Sequence, residues 1–284
     1  IYIHNGSAEV IKSVFSIMLE RGDSILMPDP GWSYYSSLAR EKFSEVHYYQ
    51  VLKDDYTYYM DVEDILLKAA KYQPRIIVIT TPHNPTGCKM DGHTIELIVK
   101  KNPESLVLLD QAYWGFSEED VDVRRLVETY TNILISRTFS KYYGLANMRV
   151  GYGFCNAKVR HIFGLDLPLF RENTISRKMA AAAIRDNAYY EKTNREMCSI
   201  KTWFMDTLNR IPEIRVFQSE SNFVAVTIEN RDLRVLKNLL EKNGILIRLF
   251  EDRGEIIARI AISLKSEMEK TVQIIEAFVK GTEE

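Results

Sequence analysis

Three short, unbroken apolar runs constrain this chain more than anything else in it. They are Ile76-Ile77-Val78-Ile79, Leu106-Val107-Leu108-Leu109 and Ile133-Leu134-Ile135. Each is too short for a helix and apolar at every position, so each suits a strand covered on both faces. Helical periodicity fills the gaps between strands. Val62, Ile65, Leu66 and Ala69 share one face behind Asp61, and a second helix is expected from about Gly92 to Lys101. Upstream, Ile1 to Ile3, Ser24 to Met27 and Glu45 to Val51 read as strands. Val10, Ile11, Val14, Ile17 and Met18 form a helix face, with Asn5 or Ser7 as its expected cap and Gly22 as its stop. Alternating strands and helices predict an α/β fold, a mostly parallel sheet flanked by helices.

The pattern changes after Gly153. Helical spacing runs from about Ser176 to Leu208 as one long helix. Strand-like pieces follow at Asn222 to Ile228, Ile245 to Leu249 and Ile256 to Ser263, with helices at about Leu233 to Lys242 and Ser266 to Lys280. This predicts a smaller α+β C-terminal domain, so the chain divides into a large domain, 1–185, and a small one, 186–284.

Composition narrows the function classes. A formal net charge of −2 offers no basic field for nucleic acid or an anionic membrane, and no apolar run reaches membrane-spanning length. Three separated cysteines, Cys88, Cys155 and Cys198, fit reduced thiols of a cytoplasmic protein better than a disulfide framework. His4, His47, His83, His93 and His161 form no i, i+4 pair with a glutamate, so metal catalysis is not expected.

The three apolar runs lead into Asn84, Asp110 and Lys141. In open parallel sheets ligands bind beyond the carboxyl ends of the strands, so these three residues are expected to converge on one site. The stretch Ile133 to Gly151, ILISRTFSKYYGLANMRVG, says most about the chemistry. A lysine just past a buried strand is a candidate nucleophilic amine, because desolvation lowers its pKa. Thr138 and Ser140 can donate to a phosphate and Arg149 can bind one bidentately. Gly6-Ser7, entering a helix, offers a further anion site. Amine and phosphate clamp together suggest pyridoxal phosphate, held as an imine. The bland alternative is a strand edge with a surface lysine and a structural arginine. The spacing Thr138 to Lys141 also echoes the S-x-x-K arrangement of serine acyl-transfer enzymes, but neither S-D-N nor K-T-G follows.

Taken together, Asn84-Pro85-Thr86-Gly87, Asp110-Gln111-Ala112-Tyr113 and Thr138-Phe139-Ser140-Lys141, followed by Arg149 and Arg259, resemble the class I/II aminotransferases. These are fold-type-I pyridoxal-phosphate enzymes, and the likeness is strongest to the histidinol-phosphate aminotransferase branch. It covers essentially the whole chain, in the family's order. The resemblance implies that Lys141 carries the cofactor and shuttles the substrate proton, and that Asp110 pairs with the ring nitrogen. It implies that Tyr113 and Asn84 bind the ring's phenolic oxygen and that Trp32 stacks on its face. Gly6, Ser7, Thr138, Ser140 and Arg149 would hold the phosphate. Arg259 would grip the substrate carboxylate, with Arg248 and Asn222 nearby. Arg171, in Pro168-Leu169-Phe170-Arg171-Glu172-Asn173, is a further candidate for a negative substrate group. For each there is a plainer structural reading: a turn residue for Asp110, an Asn-Pro turn for Asn84, a core aromatic for Trp32, a solvated charge for Arg248 and Arg171.

The family pattern is not matched everywhere. Ala8 stands where relatives often have an acidic residue, and no glycine lies at Asn147. The family's N-terminal arm, whose tyrosine reaches the partner subunit's cofactor phosphate, has no counterpart between Ile1 and Glu284. Either a preceding segment is missing or the protein is a shortened version. The resemblance implies a homodimer acting on small amino and keto acids. Two rivals keep the fold: decarboxylation of a phosphorylated amino acid, and a sensor domain without turnover.

Overall fold

The computed structural model describes residues 1–117, 121–163 and 173–281, the side chains of 161–163 excepted. In chain order the elements begin with β1 (Tyr2–His4), α1 (Ser7–Met18), β2 (Ser24–Asp29), α2 (Ser33–Glu41), β3 (Glu45–Lys53), β4 (Tyr58–Met60) and α3 (Val62–Tyr72). Next come β5 (Ile76–Thr80), α4 (Gly92–Lys101), β6 (Leu106–Asp110), α5 (Val123–Thr129), β7 (Ile133–Thr138) and β8 (Gly151–Cys155). The remainder is α6 (Thr174–Arg185), α7 (Asn187–Leu208), β9 (Ile214–Val216), β10 (Phe223–Ile228), α8 (Leu233–Lys242), β11 (Arg248–Asp252), β12 (Glu255–Ala261) and α9 (Lys265–Lys280).

The first eight strands form one sheet in the order β1-β8-β7-β6-β5-β2-β3-β4. Its centre, β7-β6-β5-β2-β3, is parallel, and antiparallel strands close both ends. The apolar runs are buried on both faces because side chains alternate along a strand. Ile77, Ile79, Val107, Leu109, Ile133 and Ile135 pack with Ile65, Ile95 and Leu126 of α3, α4 and α5. Ile76, Val78, Leu106, Leu108 and Leu134 pack on the opposite side with Val10, Val14 and Leu38 of α1 and α2. Chain order reverses at β2, which lies between β3 and β5. That is the topological switch where α/β sheets open a crevice.

The second sheet is antiparallel, in the order β11-β12-β10-β9. One of its faces carries α7, α8 and α9 over a core of Val224, Val226, Ile260, Leu236 and Ile275. Asp61, Asp91 and Asp232 cap α3, α4 and α8 with their side chains.

Several local expectations need correction. Neither Asn5 nor Ser7 caps α1. Gly6 is the N-cap (φ 90°), and Glu9 reaches back to accept from Asn5 N (2.6 Å). The helix ends at Met18, before Gly22, because buried Leu19 is already extended toward β2. The single helix expected from Ser176 is two, broken at Asp186 (φ −96°, ψ 48°), a break that apolar spacing cannot reveal. The strand expected from Ile245 begins only at Arg248, where pairing with β12 starts. Of the elements that sequence pattern did not announce, β4 and β9 hold three residues each, too few to display a period; α2, α5 and β8 are the others.

Candidate active site

The carboxyl ends of β2, β5, β6 and β7 open onto a pocket of ≈ 780 Å³, roofed by β11 and β12 of the small sheet. Ser7, Trp32, Asn84, Asp110, Tyr113, Thr138, Ser140, Lys141, Arg149, Arg248 and Arg259 all line it. Residues spread over some 250 positions therefore meet, as expected for groups placed on successive strand ends. Gly6 lies just behind the lining. Asn222 is outside it, and Phe223 is the residue of that segment that packs under Arg259. Arg171 falls outside the described residues.

Asp110, the last residue of β6, is buried at the pocket floor. Its Oδ2 accepts from Tyr35 Oη (2.6 Å), and its Oδ1 accepts from Ser136 Oγ (3.1 Å) and Ala112 N (3.0 Å). Burial raises its pKa, and these three donors pull it back down by stabilising the anion. Among the described residues no cation pairs with it. A buried carboxylate with three donors and no counter-ion, facing a cavity, keeps acceptor capacity for a further, cationic donor.

Lys141 follows β7. It opens to the pocket, with Nζ 5.4 Å from the centre of the Tyr113 ring. Its pKa is lowered, first by the crowding protein around it and second by the Arg259 charge, so the free amine is easier to reach than in water. Tyr113 is buried, which raises its pKa against the pull of Arg259. Arg259 Nη1 donates to Asn84 Oδ1 (2.5 Å), and its guanidinium lies 4.9 Å above the Phe223 ring.

The other end of the pocket is an anion cradle. Ser7 and Ala8, the first residues of the twelve-residue helix α1, line it together with Thr138, Ser140 and Arg149. Helix N-terminal N–H groups and a guanidinium both favour negative charge there. The cradle depends on missing side chains. A Cβ on Gly151 would lie 2.1 Å from Ser7 N, so only glycine in β8 lets the helix end sit this close to the sheet. A Cβ on Gly6 would meet Arg149 Nη2 at 2.5 Å. Arg149 is held by Ala146 O (2.8 Å) and Asn5 O (3.4 Å). Thr138 Oγ1 donates to Ser140 Oγ (2.9 Å).

The donor set fits pyridoxal phosphate: a carboxylate socket for a protonated ring nitrogen, an amine on the wall, and an anion cradle beyond it. Sequence reasoning did not find Tyr35, Ser136 or Gly151. The first two reach Asp110 from other elements, and Gly151 acts only by lacking a side chain.

Comparison with known proteins agrees. The family model for aminotransferase class I and II matches residues 1–275. The histidinol-phosphate aminotransferase of Methanocaldococcus jannaschii is 27% identical over 278 residues, 97% of this chain and 74% of that one. That of Thermoanaerobacter pseudethanolicus is 30% identical over 267 residues, 94% of this chain and 73% of the other. In fold, the crystal structure of histidinol-phosphate aminotransferase from Sinorhizobium meliloti, in complex with pyridoxal-5'-phosphate, superposes with a TM-score of 0.85. It is 21% identical and covers 99% of this chain and 77% of that one.

Proposed function

This chain belongs to the class I and II aminotransferase family, and from that premise we propose that its pocket holds pyridoxal 5'-phosphate and that it transfers an amino group from an amino acid or amino-phosphate to a keto acid. The observation that carries this reading is the convergence of Lys141, Asp110 and the α1 cradle on one pocket. When bound, the cofactor supplies an electrophilic carbonyl for the incoming amine and an electron-withdrawing ring that acidifies the bond to be broken.

The residues divide the remaining work. Lys141 would anchor the cofactor through its amine and would move the proton to and from the substrate carbon. Asp110 keeps the ring nitrogen protonated. Tyr113 and Asn84 hold the ring's phenolic oxygen, and Trp32, more than a third exposed at the head of α2, covers the ring face. Gly6, Ser7, Thr138, Ser140 and Arg149 bind the phosphate.

The substrate end is built from Arg259 and Arg248. They are register partners on β12 and β11, and both face the pocket. Like charges directly opposite each other across strands repel, and an anionic ligand between them would relieve that repulsion. A phosphorylated substrate would satisfy it, in line with the names of the M. jannaschii and T. pseudethanolicus relatives. Those relatives also favour transamination over decarboxylation.

A homodimer completes the reading. A largely apolar groove of ≈ 650 Å³ is lined by Ile1, Ile3, Phe139, Val150, Tyr152 and Ile184, with Arg177 and Lys178 also on its wall; Phe139 and Val150 are the chain neighbours of Ser140 and Arg149. A second subunit seated there would border the phosphate cradle. Cys88, Cys155 and Cys198 are free thiols, as in a cytoplasmic enzyme, and no described helix is long and apolar enough to cross a membrane.

The test is Lys141→Ala. Wild-type protein with added pyridoxal phosphate should show a visible absorbance that shifts with amino substrate, and the variant should show neither that absorbance nor transamination. An active variant with the same absorbance refutes the assignment. Carbon dioxide release from a phosphorylated amino acid, without keto-acid exchange, would select the decarboxylase.

A further inference from the structure

Helix α7 buries a stripe of Lys201, Phe204, Met205 and Leu208, the i, i+3, i+4, i+7 spacing of a core face. Lys201 is the charged member, 9% exposed, at a position where an aliphatic residue would pack. A buried ammonium is costly unless it is hydrogen-bonded. Here Nζ donates to two backbone carbonyls, Ser219 O (2.6 Å) and Ser221 O (3.0 Å). Among the described residues no carboxylate lies within ion-pair distance of it. Both of its hydrogen bonds therefore go to one backbone segment, 219–223, that leads into β10, while burial lowers its pKa and the nearby Cys198 and Glu220 pull it back up.

That segment touches the walls of the pocket. Glu220 N donates to Gly87 O (2.8 Å), in the loop that carries Asn84. Gly87 (φ 84°) approaches so closely that a Cβ there would lie 2.1 Å from Ser219 Oγ. Phe223 meets the Tyr113 ring edge to face (5.0 Å) and lies under the Arg259 guanidinium. Tyr113 and Arg259 thus rest on Phe223 of the segment that Lys201 ties to α7, and the loop that carries Asn84 is joined to it through Gly87, although Lys201 does not line the pocket.

We propose that Lys201 is a positioning residue of the active site: its ammonium fixes the 219–223 segment, which sets Asn84 and Tyr113 against the cofactor ring and Arg259 against the substrate. Side chains held through such a chain of contacts must keep their place to a fraction of an ångström, and misplacement of about 1 Å costs on the order of a hundredfold in rate. The proposal rests on the functional reading above.

The experiment compares Lys201→Met and Lys201→Gln with wild type. The first readout needs no cofactor: amide hydrogen exchange of 83–88 and 219–223. Lys201→Met should lose protection in both segments while β6 and α4 keep theirs. The second readout is the bound cofactor. The pH midpoint of its visible absorbance should move, because Asn84 and Tyr113 set it, and KM for the amino substrate should rise with Arg259. Lys201→Gln, which keeps a donor, should lie between the two. Unchanged exchange, an unchanged absorbance midpoint or an unchanged KM in folded Lys201→Met overturns the proposal. Failure of both variants to fold overturns it too, since Lys201 is then a requirement of the fold. If wild type itself takes up no pyridoxal phosphate, the functional reading fails instead, and hydrogen exchange still decides whether Lys201 holds the two loops.

Discussion

Tyr35→Phe probes the pocket floor without opening a cavity. The ring is 1% exposed and packs against Phe15 and Trp32, contacts that phenylalanine retains. What is removed is the 2.6 Å hydrogen bond to Asp110 Oδ2, together with a long, weak contact to Thr80 Oγ1 (3.4 Å). A hydrogen bond to an ionised acceptor is worth about 1.5–3 kcal/mol, and one between neutral groups about 1 kcal/mol. The loss should therefore depend on whether Asp110 carries charge. Burial raises the folded pKa of Asp110 above its unfolded value, so in that window the folded chain holds more protons and stability falls as pH rises. Removing Tyr35 Oη takes away a group that favours the anion, so the pKa rises further and the window extends upward. Cofactor-free Tyr35→Phe should thus lose about 1 kcal/mol where Asp110 is protonated, at the acid end of the range in which the chain stays folded, and about 2–3 kcal/mol where it is ionised, at the alkaline end. Urea unfolding across that range measures both. A loss that does not grow with pH would refute the picture of a buried carboxylate whose donors favour the anion.

Other expectations follow from the same geometry. Lys141 has a lowered folded pKa, so in cofactor-free protein its contribution to stability rises with pH from that value to about 10.4. Lys141→Met should accordingly unfold at higher urea than wild type at neutral pH, and the advantage should vanish as the solution approaches the ordinary lysine pKa. Gly151→Ala drives a Cβ to 2.1 Å from Ser7 N. It should cost about 1–3 kcal/mol of stability and weaken pyridoxal phosphate binding in an absorbance titration; normal binding would show that α1 is not the phosphate cradle. Arg259→Lys keeps the charge but loses the planar fork, so KM for the amino substrate should rise roughly tenfold or more while cofactor affinity stays near wild type. An unchanged KM would remove Arg259 from the substrate end.

Much of the fold and the site could be read along the chain, for a physical reason. A strand covered on both faces must be apolar at every position, so Ile76 to Ile79, Leu106 to Leu109 and Ile133 to Ile135 announced a parallel sheet with helices on either side. A parallel sheet points all its carboxyl ends one way, so Asn84, Asp110 and Lys141 had to share a pocket. What stayed hidden were features whose signal is a neighbour in space. Asp186 breaks a helix that apolar spacing shows as continuous. Arg248 is an exposed charge on an edge strand, as the plainer reading has it, and only the register shows that it stands opposite Arg259.

The sequence by itself determined the layered sheet, the order of its strands' polar endings and the chemical types gathered there, because each of these follows from local periodicity and strand polarity. Only the tertiary structure decided how those groups are tuned. Tyr35 and Ser136 hold Asp110, Gly151 admits the end of α1, and Lys201 secures the 219–223 segment, each acting across a distance in sequence that local pattern does not encode. The physical reason is that a hydrogen bond or a close approach belongs to a pair of positions, and the pair exists only once the chain has folded.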